Sequence, residues 1–119
     1  LKIFLACCTR TLDQISLKWK TDKSICVVLC SKGYPEKYEK NLLIENLDKI
    51  EISKNEYCFH AGTTKIENKI YASGGRVLNF VCLSENFAEA RKKIINSINS
   101  LNWSNGFYRK DIGYKVIDE

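Results

Sequence analysis

One hundred and nineteen residues suffice for one domain with a substantial core and are too few for two ordinary ones. The chain is 45% hydrophobic and 28% charged, with one proline and six glycines, which excludes a disordered tail, a collagen-like repeat and a linker-rich protein. The net charge of +5 comes from 19 basic and 14 acidic residues scattered along the chain; no run reaches the roughly five or six like charges of a nucleic-acid arm, and no nucleic-acid partner is expected.

Leu1, Phe4, Leu5, Cys8, Leu12 and Ile15 fall at helical spacing, which predicts an N-terminal helix over about 1–12 with one apolar stripe. Phe4-Leu5-Ala6-Cys7 faintly resembles a lipoprotein cleavage box, but the apolar stretch is shorter than the usual h-region of about 7–15 residues. No segment approaches the roughly 20 apolar residues of a membrane span, so a cytoplasmic location without a membrane partner is expected. The chain holds no methionine and opens Leu1-Lys2-Ile3, which reads as a fragment or a processed product. Residues 16–23, lysine-rich around Trp19, form a connection, so 1–20 is expected to be helix and linker and 21–119 the domain proper.

Ser24–Ser31 is a continuous apolar run of strand length, suited to the centre of a sheet, and Gly33-Tyr34-Pro35 stops it. Leu42–Ile44 and Lys49–Ile52 are expected as short strands. Tyr57–His60 and Lys65–Tyr71 are expected to pair around the Ala61-Gly62-Thr63 corner, with a further turn at Glu67-Asn68. Gly74-Gly75 breaks the pattern, and Arg76–Leu83 is a second strongly apolar strand.

A long amphipathic helix over about 86–101 follows. Asn86 caps it, Glu89 is placed to return the contact, and Phe87, Ala90, Ile94, Ile98 and Leu101 keep one apolar stripe. Glu89 and Lys93 make a favourable i,i+4 pair. Asn105-Gly106 is a turn, and Phe107–Val116 is expected to be extended. Strands and helices mix without βαβ alternation, which gives an α+β fold with a mixed, largely antiparallel sheet.

The six cysteines do not read as a disulfide framework. Cys7 and Cys8 are neighbours, and Cys26 and Cys30 are about 13 Å apart if they share a strand, beyond the roughly 7 Å that bridged Cα atoms allow. With no Cys-x-x-Cys and one histidine, no metal site is expected at the thiols.

Few residues announce chemistry. His60, before Ala61-Gly62-Thr63, marks either a corner whose amides face an anion or a strand-terminal histidine satisfied by its turn. Gly74-Gly75-Arg76 combines a backbone open to close approach with a planar cation suited to carboxylate or phosphate; the alternative is a tight turn with Arg76 at the surface. It matches neither a Walker loop nor a dinucleotide fingerprint. Arg109-Lys110-Asp111 is an ion-pair cluster or a second cationic site. No catalytic acid, base or nucleophile is assigned.

Four motifs in order go further: Ser24-Ile25-Cys26-Val27-Val28-Leu29-Cys30-Ser31-Lys32-Gly33-Tyr34-Pro35, Phe59-His60-Ala61-Gly62-Thr63, Gly74-Gly75-Arg76-Val77-Leu78 and Phe107-Tyr108-Arg109-Lys110-Asp111-Ile112-Gly113. Together they resemble the C-terminal domain of the phosphoribosylamine–glycine ligases, also called glycinamide ribonucleotide synthetases. Pro35-Glu36 departs from the Pro-Gly usual in that family. The resemblance implies an ATP-grasp enzyme of purine biosynthesis that joins glycine to 5-phosphoribosylamine, converts ATP to ADP and phosphate through glycyl phosphate, and uses magnesium or manganese. It also implies that the N-terminal and ATP-grasp regions lie elsewhere in the parent chain. This piece alone would then bind neither ATP nor metal and would be inactive. Arg76, with Gly74 and Gly75, would meet a substrate carboxylate or phosphate, His60 and Thr63 would line the neighbouring corner, and Arg109 and Lys110 would reach toward the phosphate. Three alternatives stand beside this: a detached structural or interaction domain using the apolar face of residues 1–12, a nucleic-acid-binding module, and a sister carboxylate–amine ligase.

Overall fold

The computed structural model describes residues 1–117. Two antiparallel sheets carry the fold. The larger has the order β3-β6-β1-β7, from β1 (Lys23–Ser31), β3 (Glu56–His60), β6 (Arg76–Ser84) and β7 (Gly106–Phe107). The smaller has the order β2-β5-β4, from β2 (Leu42–Leu43), β4 (Thr63–Ile66) and β5 (Lys69–Ala72). Helix α1 spans Lys2–Thr9, α2 spans Phe87–Leu101 and the short α3 spans Tyr114–Ile117. The class is α+β, as expected, with every strand pairing antiparallel.

The two apolar strands lie side by side at the middle of the large sheet. Their register sets Ile25 opposite Cys82, Val27 opposite Phe80 and Leu29 opposite Leu78. Because side chains alternate across a strand, these six share one face, and α2 covers it with Ala90, Ile94, Ile98 and Leu101. Phe80, Leu78, Ile94 and Leu101 are among the largest fully buried side chains. Beyond the helix, the Trp103 indole N–H donates to the Leu43 carbonyl at 2.9 Å and ties the end of α2 to the small sheet. A buried carboxylate fastens the other edge: Glu56 accepts from the Ser53 amide at 2.9 Å and the Ser53 hydroxyl, and the Ser97 hydroxyl of α2 lies 3.4 Å from it.

Several expectations need correction. The strands flanking the Gly62 corner do not pair with each other: β3 pairs with β6 while β4 pairs with β5, so the corner passes the chain from one sheet to the other. The turn at 67–68 does form, with Glu67 and Asn68 both at positive φ. No strand forms over 49–52; Asn46 adopts a left-handed conformation (φ 61°) that starts a 3-10 turn over Leu47–Lys49. Of the expected extended segment Phe107–Val116 only Phe107 joins the sheet, together with Gly106 before it, and the segment's end is helical in α3. The Arg91 side chain then takes the carbonyls of Lys110 and, at 2.9 Å, Ile112, so that backbone is held by a side chain rather than by a neighbouring strand. Helix α1 stops at Thr9, with Arg10 left-handed at φ 58°, so it is shorter than the apolar stripe suggests. Asn86 does cap α2, accepting from the Glu89 amide at 2.8 Å. The Glu89 carboxylate, however, accepts from the Ser84 hydroxyl at 2.8 Å and pairs with Lys93 at 3.0 Å instead of returning to Asn86.

Candidate functional site

The face of the large sheet turned away from α2 is bare and mostly apolar. Tyr57 and Phe59 are 45% and 53% exposed on β3, and their rings stack 6.0 Å apart. Cys26, Val28 and Cys30 share this face on β1, with Asn79 and Val81 on β6 and Phe107 (38% exposed) on β7. The uninterrupted apolar run of β1 is therefore buried on one side only, and Cys26 is exposed.

At one end of this face a cleft of about 520 Å³ opens between three connections. Val28 and Asn79 form its floor. Tyr34 and Tyr38 from the loop after β1, Ala61 and Gly62 from the corner after β3, and Gly75 and Arg76 entering β6 form its walls. Three of the four sequence motifs thus meet at one place.

Arg76 reaches this cleft because of a break in the β1–β6 ladder. Strict alternation from Leu78 would turn residue 76 toward α2. The register instead slips between Leu29 and Cys30, so that Cys30 faces Arg76 while Val77, fully buried, is the extra residue. Such an irregularity re-aims a side chain, and here it delivers the guanidinium to the outer face. Among the described residues the ion pairs are Glu89–Lys93 and Arg109–Asp111, which leaves Arg76 exposed and without a carboxylate.

The glycines serve packing between the turns. A Cβ on Gly62 would lie 2.7 Å from both the Gly74 Cα and the Arg76 carbonyl oxygen, and a Cβ on Gly75 would lie 2.1 Å from the Tyr34 ring. The polar backbone there is also engaged: the Gly74 amide donates to Gly62 at 3.1 Å, the Ser31 hydroxyl donates to the Gly74 carbonyl at 3.0 Å, and the Ser31 amide donates to Gly75 at 2.8 Å. The Gly74 amide is spent inside the fold, and Arg76 is the one charged group of its motif.

The remaining candidates are dispersed. His60 and Thr63 bond each other, Nδ1 to Oγ1 at 2.9 Å, beside the corner and outside the cleft lining. Arg109 makes a two-point contact to Asp111 at 3.1 and 2.6 Å and borders a neighbouring apolar groove of about 310 Å³ with Cys26, Cys30, Pro35 and Ile112; Tyr34 is shared by groove and cleft. That pairing holds the Arg109 guanidinium above, and the Asp111 carboxyl below, their ordinary ranges. Lys110 lines a separate cavity beside Trp103 on the helix side of the sheet. Sequence reasoning missed Asn79, Tyr38 and the floor residue Val28; the alternation of β6 would have placed Asn79 opposite Leu78, as the one polar residue on a strand face otherwise apolar up to Leu83.

The four thiols of the large sheet are not activated. Burial pushes Cys58 up to about 11 and raises Cys26, Cys30 and Cys82, with the Arg76 charge partly opposing the shift at Cys30. No group of three or more His, Cys, Asp or Glu side chains among the described residues could hold a metal ion, and no helix is long and apolar enough to cross a membrane.

These features define an α+β domain of two antiparallel sheets with a single-cation cleft where its connections converge. The match of residues 24–115 to the family model described as phosphoribosylglycinamide synthetase, C domain, makes the chain a member of that family. It is 41% identical over 117 residues to a phosphoribosylamine–glycine ligase of Agrobacterium fabrum, covering 98% of this chain and 27% of that protein. It is 38% identical to the chloroplastic enzyme of that name from Arabidopsis thaliana, covering 98% and 22%. The crystal structure of the Thermotoga maritima phosphoribosylamine–glycine ligase superposes with a TM-score of 0.69 at 25% identity, over 92% of this chain and 27% of that one. The chain thus spans about a quarter of the length of these relatives.

Proposed function

We propose that this chain is the C-terminal domain of a phosphoribosylamine–glycine ligase of purine biosynthesis, and that its outer face closes one side of the substrate cleft. In this reading residues 1–20 lead in from the rest of the parent chain and residues 21–119 form the domain. The parent joins glycine to 5-phosphoribosylamine while ATP becomes ADP and phosphate, through glycyl phosphate. The observation that carries the reading is the convergence of three family motifs on one cleft around Arg76, which has no carboxylate partner among the described residues.

Arg76 meets a carboxylate or phosphate of a substrate, a charge-assisted contact that fixes position as well as energy. Among the described residues the cleft lining brings no carboxylate to hold magnesium or manganese. Metal and ATP fall to the N-terminal and ATP-grasp regions of the parent, and this piece alone is inactive. Holding a substrate by positioned charge, rather than by a thiol nucleophile, agrees with the raised thiols of Cys30 and Cys58.

The full-length gene product should release ADP only when both glycine and phosphoribosylamine are present, and Arg76→Ala should lower kcat/KM by about tenfold or more. ADP release that ignores either substrate, or a folded Arg76→Ala enzyme with unchanged kinetics, would overturn the reading.

A further inference from the structure

The proposed ligase has two small substrates that could supply the anion for Arg76, and the side chains that this chain brings to the cleft favour one of them. A volume of about 520 Å³ lies within the roughly 300–1,000 Å³ of small-molecule sites and is far larger than glycine would fill. Glycine is also a zwitterion, and its ammonium group needs an acceptor of opposite charge. The lining residues Val28, Tyr34, Tyr38, Ala61, Gly62, Gly75, Arg76 and Asn79 include no Asp or Glu, and their one ionised side chain is a cation. Around that cation stand three side chains that suit a sugar. Asn79 offers two donors and an acceptor, and each tyrosine hydroxyl both donates and accepts. The tyrosine rings, packed edge to face with centroids 5.9 Å apart, give a rigid wall for the apolar side of a furanose. Tyr34 cannot swing inward freely, since its ring lies against Gly75 with no room for even a Cβ between them.

We propose, building on the function proposed above, that this cleft binds the phosphorylated ribose: Arg76 takes the phosphate, Asn79 and Tyr38 take ring or hydroxyl oxygens, and Tyr34 forms the wall. Glycine binds outside it. Asn79 and Tyr38 are specificity-determining residues for the sugar, a role assigned by their place on the cleft floor and wall.

The test uses the full-length protein with ribose 5-phosphate, titrated by calorimetry, and steady-state kinetics for each substrate. Asn79→Ala and Tyr38→Phe should each weaken ribose 5-phosphate binding and raise KM for phosphoribosylamine, Asn79→Ala by about tenfold, the size of one lost hydrogen bond in a shielded site. KM for glycine should stay within about twofold. The conservative Tyr38→Phe keeps the ring and removes only the hydroxyl, so a folding defect in Asn79→Ala does not leave the question open. If Arg76→Ala impairs the enzyme while both other variants bind ribose 5-phosphate normally, or if glycine KM rises instead, the sugar assignment falls and the ligase reading survives. If Arg76→Ala also has no effect, both fall.

Discussion

The two faces of the large sheet come from the same strands and have opposite fates. On the inner face Val27, Leu29, Leu78, Phe80 and Cys82 are buried under α2. On the outer face Tyr57, Phe59 and Phe107 remain open beside Asn79 and Arg76. The inner face is a core, and its residue types are interchangeable as long as volume is kept. The outer face mixes exposed aromatics with the Arg76 guanidinium, which has no carboxylate partner among the described residues, a composition that makes sense for a surface that meets other molecules.

Substitutions that confuse the two faces test the distinction most sharply. Phe80→Ala on the inner face should cost about 3–5 kcal/mol, a buried aromatic lost with its cavity unfilled, measured by urea denaturation. Phe59→Ala, one strand away on the outer face, should change stability by no more than about 0.5 kcal/mol. A comparable loss at both positions would mean that the outer face is covered after all. Gly62→Ala comes next: its Cβ would strike backbone on both sides, which cannot move like a side chain, so a loss of about 1–3 kcal/mol is expected together with a distorted cleft. Asn86→Ala removes the cap of α2, which positions the inner face only, and should cost about 1 kcal/mol without altering ligand binding.

The smallest effect is a pH effect at the same helix end. The Ser84 hydroxyl, and then Lys93, hold the Glu89 carboxyl below its ordinary range. Because the folded pKa lies below the unfolded value of about 4.3, the stabilisation is complete above that pH and is lost as pH falls through the folded pKa. A small stability gap between the wild-type chain and Glu89→Gln at neutral pH should therefore close on acidification below about pH 4. A gap that widened there would contradict this role.

The inner face was readable in the sequence because periodicity reports burial. The stripe from Ala90 to Leu101 and the runs at Ser24–Ser31 and Arg76–Leu83 gave the helix and both central strands nearly to the residue. The outer face was not readable in the same way. An apolar run such as Ile25-Cys26-Val27-Val28-Leu29-Cys30 looks alike whether one face is covered or two, so its exposed half could not be seen. The glycines at 62, 74 and 75 were visible as special positions, but their reason, one turn packing on another and on Tyr34, depends on partners distant in sequence. Most of the site hinges on the slipped register opposite Cys30. Nothing in the alternation of β6 announces that slip, and without it Arg76 would point to the wrong side. The C-terminal segment, expected to be extended, failed for a related reason: Arg91, about twenty residues away, supplies hydrogen bonds to its carbonyls that no local pattern announces.

The central claim is that Arg76, without a carboxylate partner among the described residues, meets the substrate anion, whereas the Arg109 guanidinium is engaged by Asp111. The most direct measurement is kcat/KM for the full-length protein carrying Arg76→Ala, set beside the same measurement for Arg109→Ala. A fall of about tenfold or more at Arg76, with Arg109→Ala within about twofold of wild type, is the predicted result. Equal effects, or a larger loss at Arg109, would contradict it.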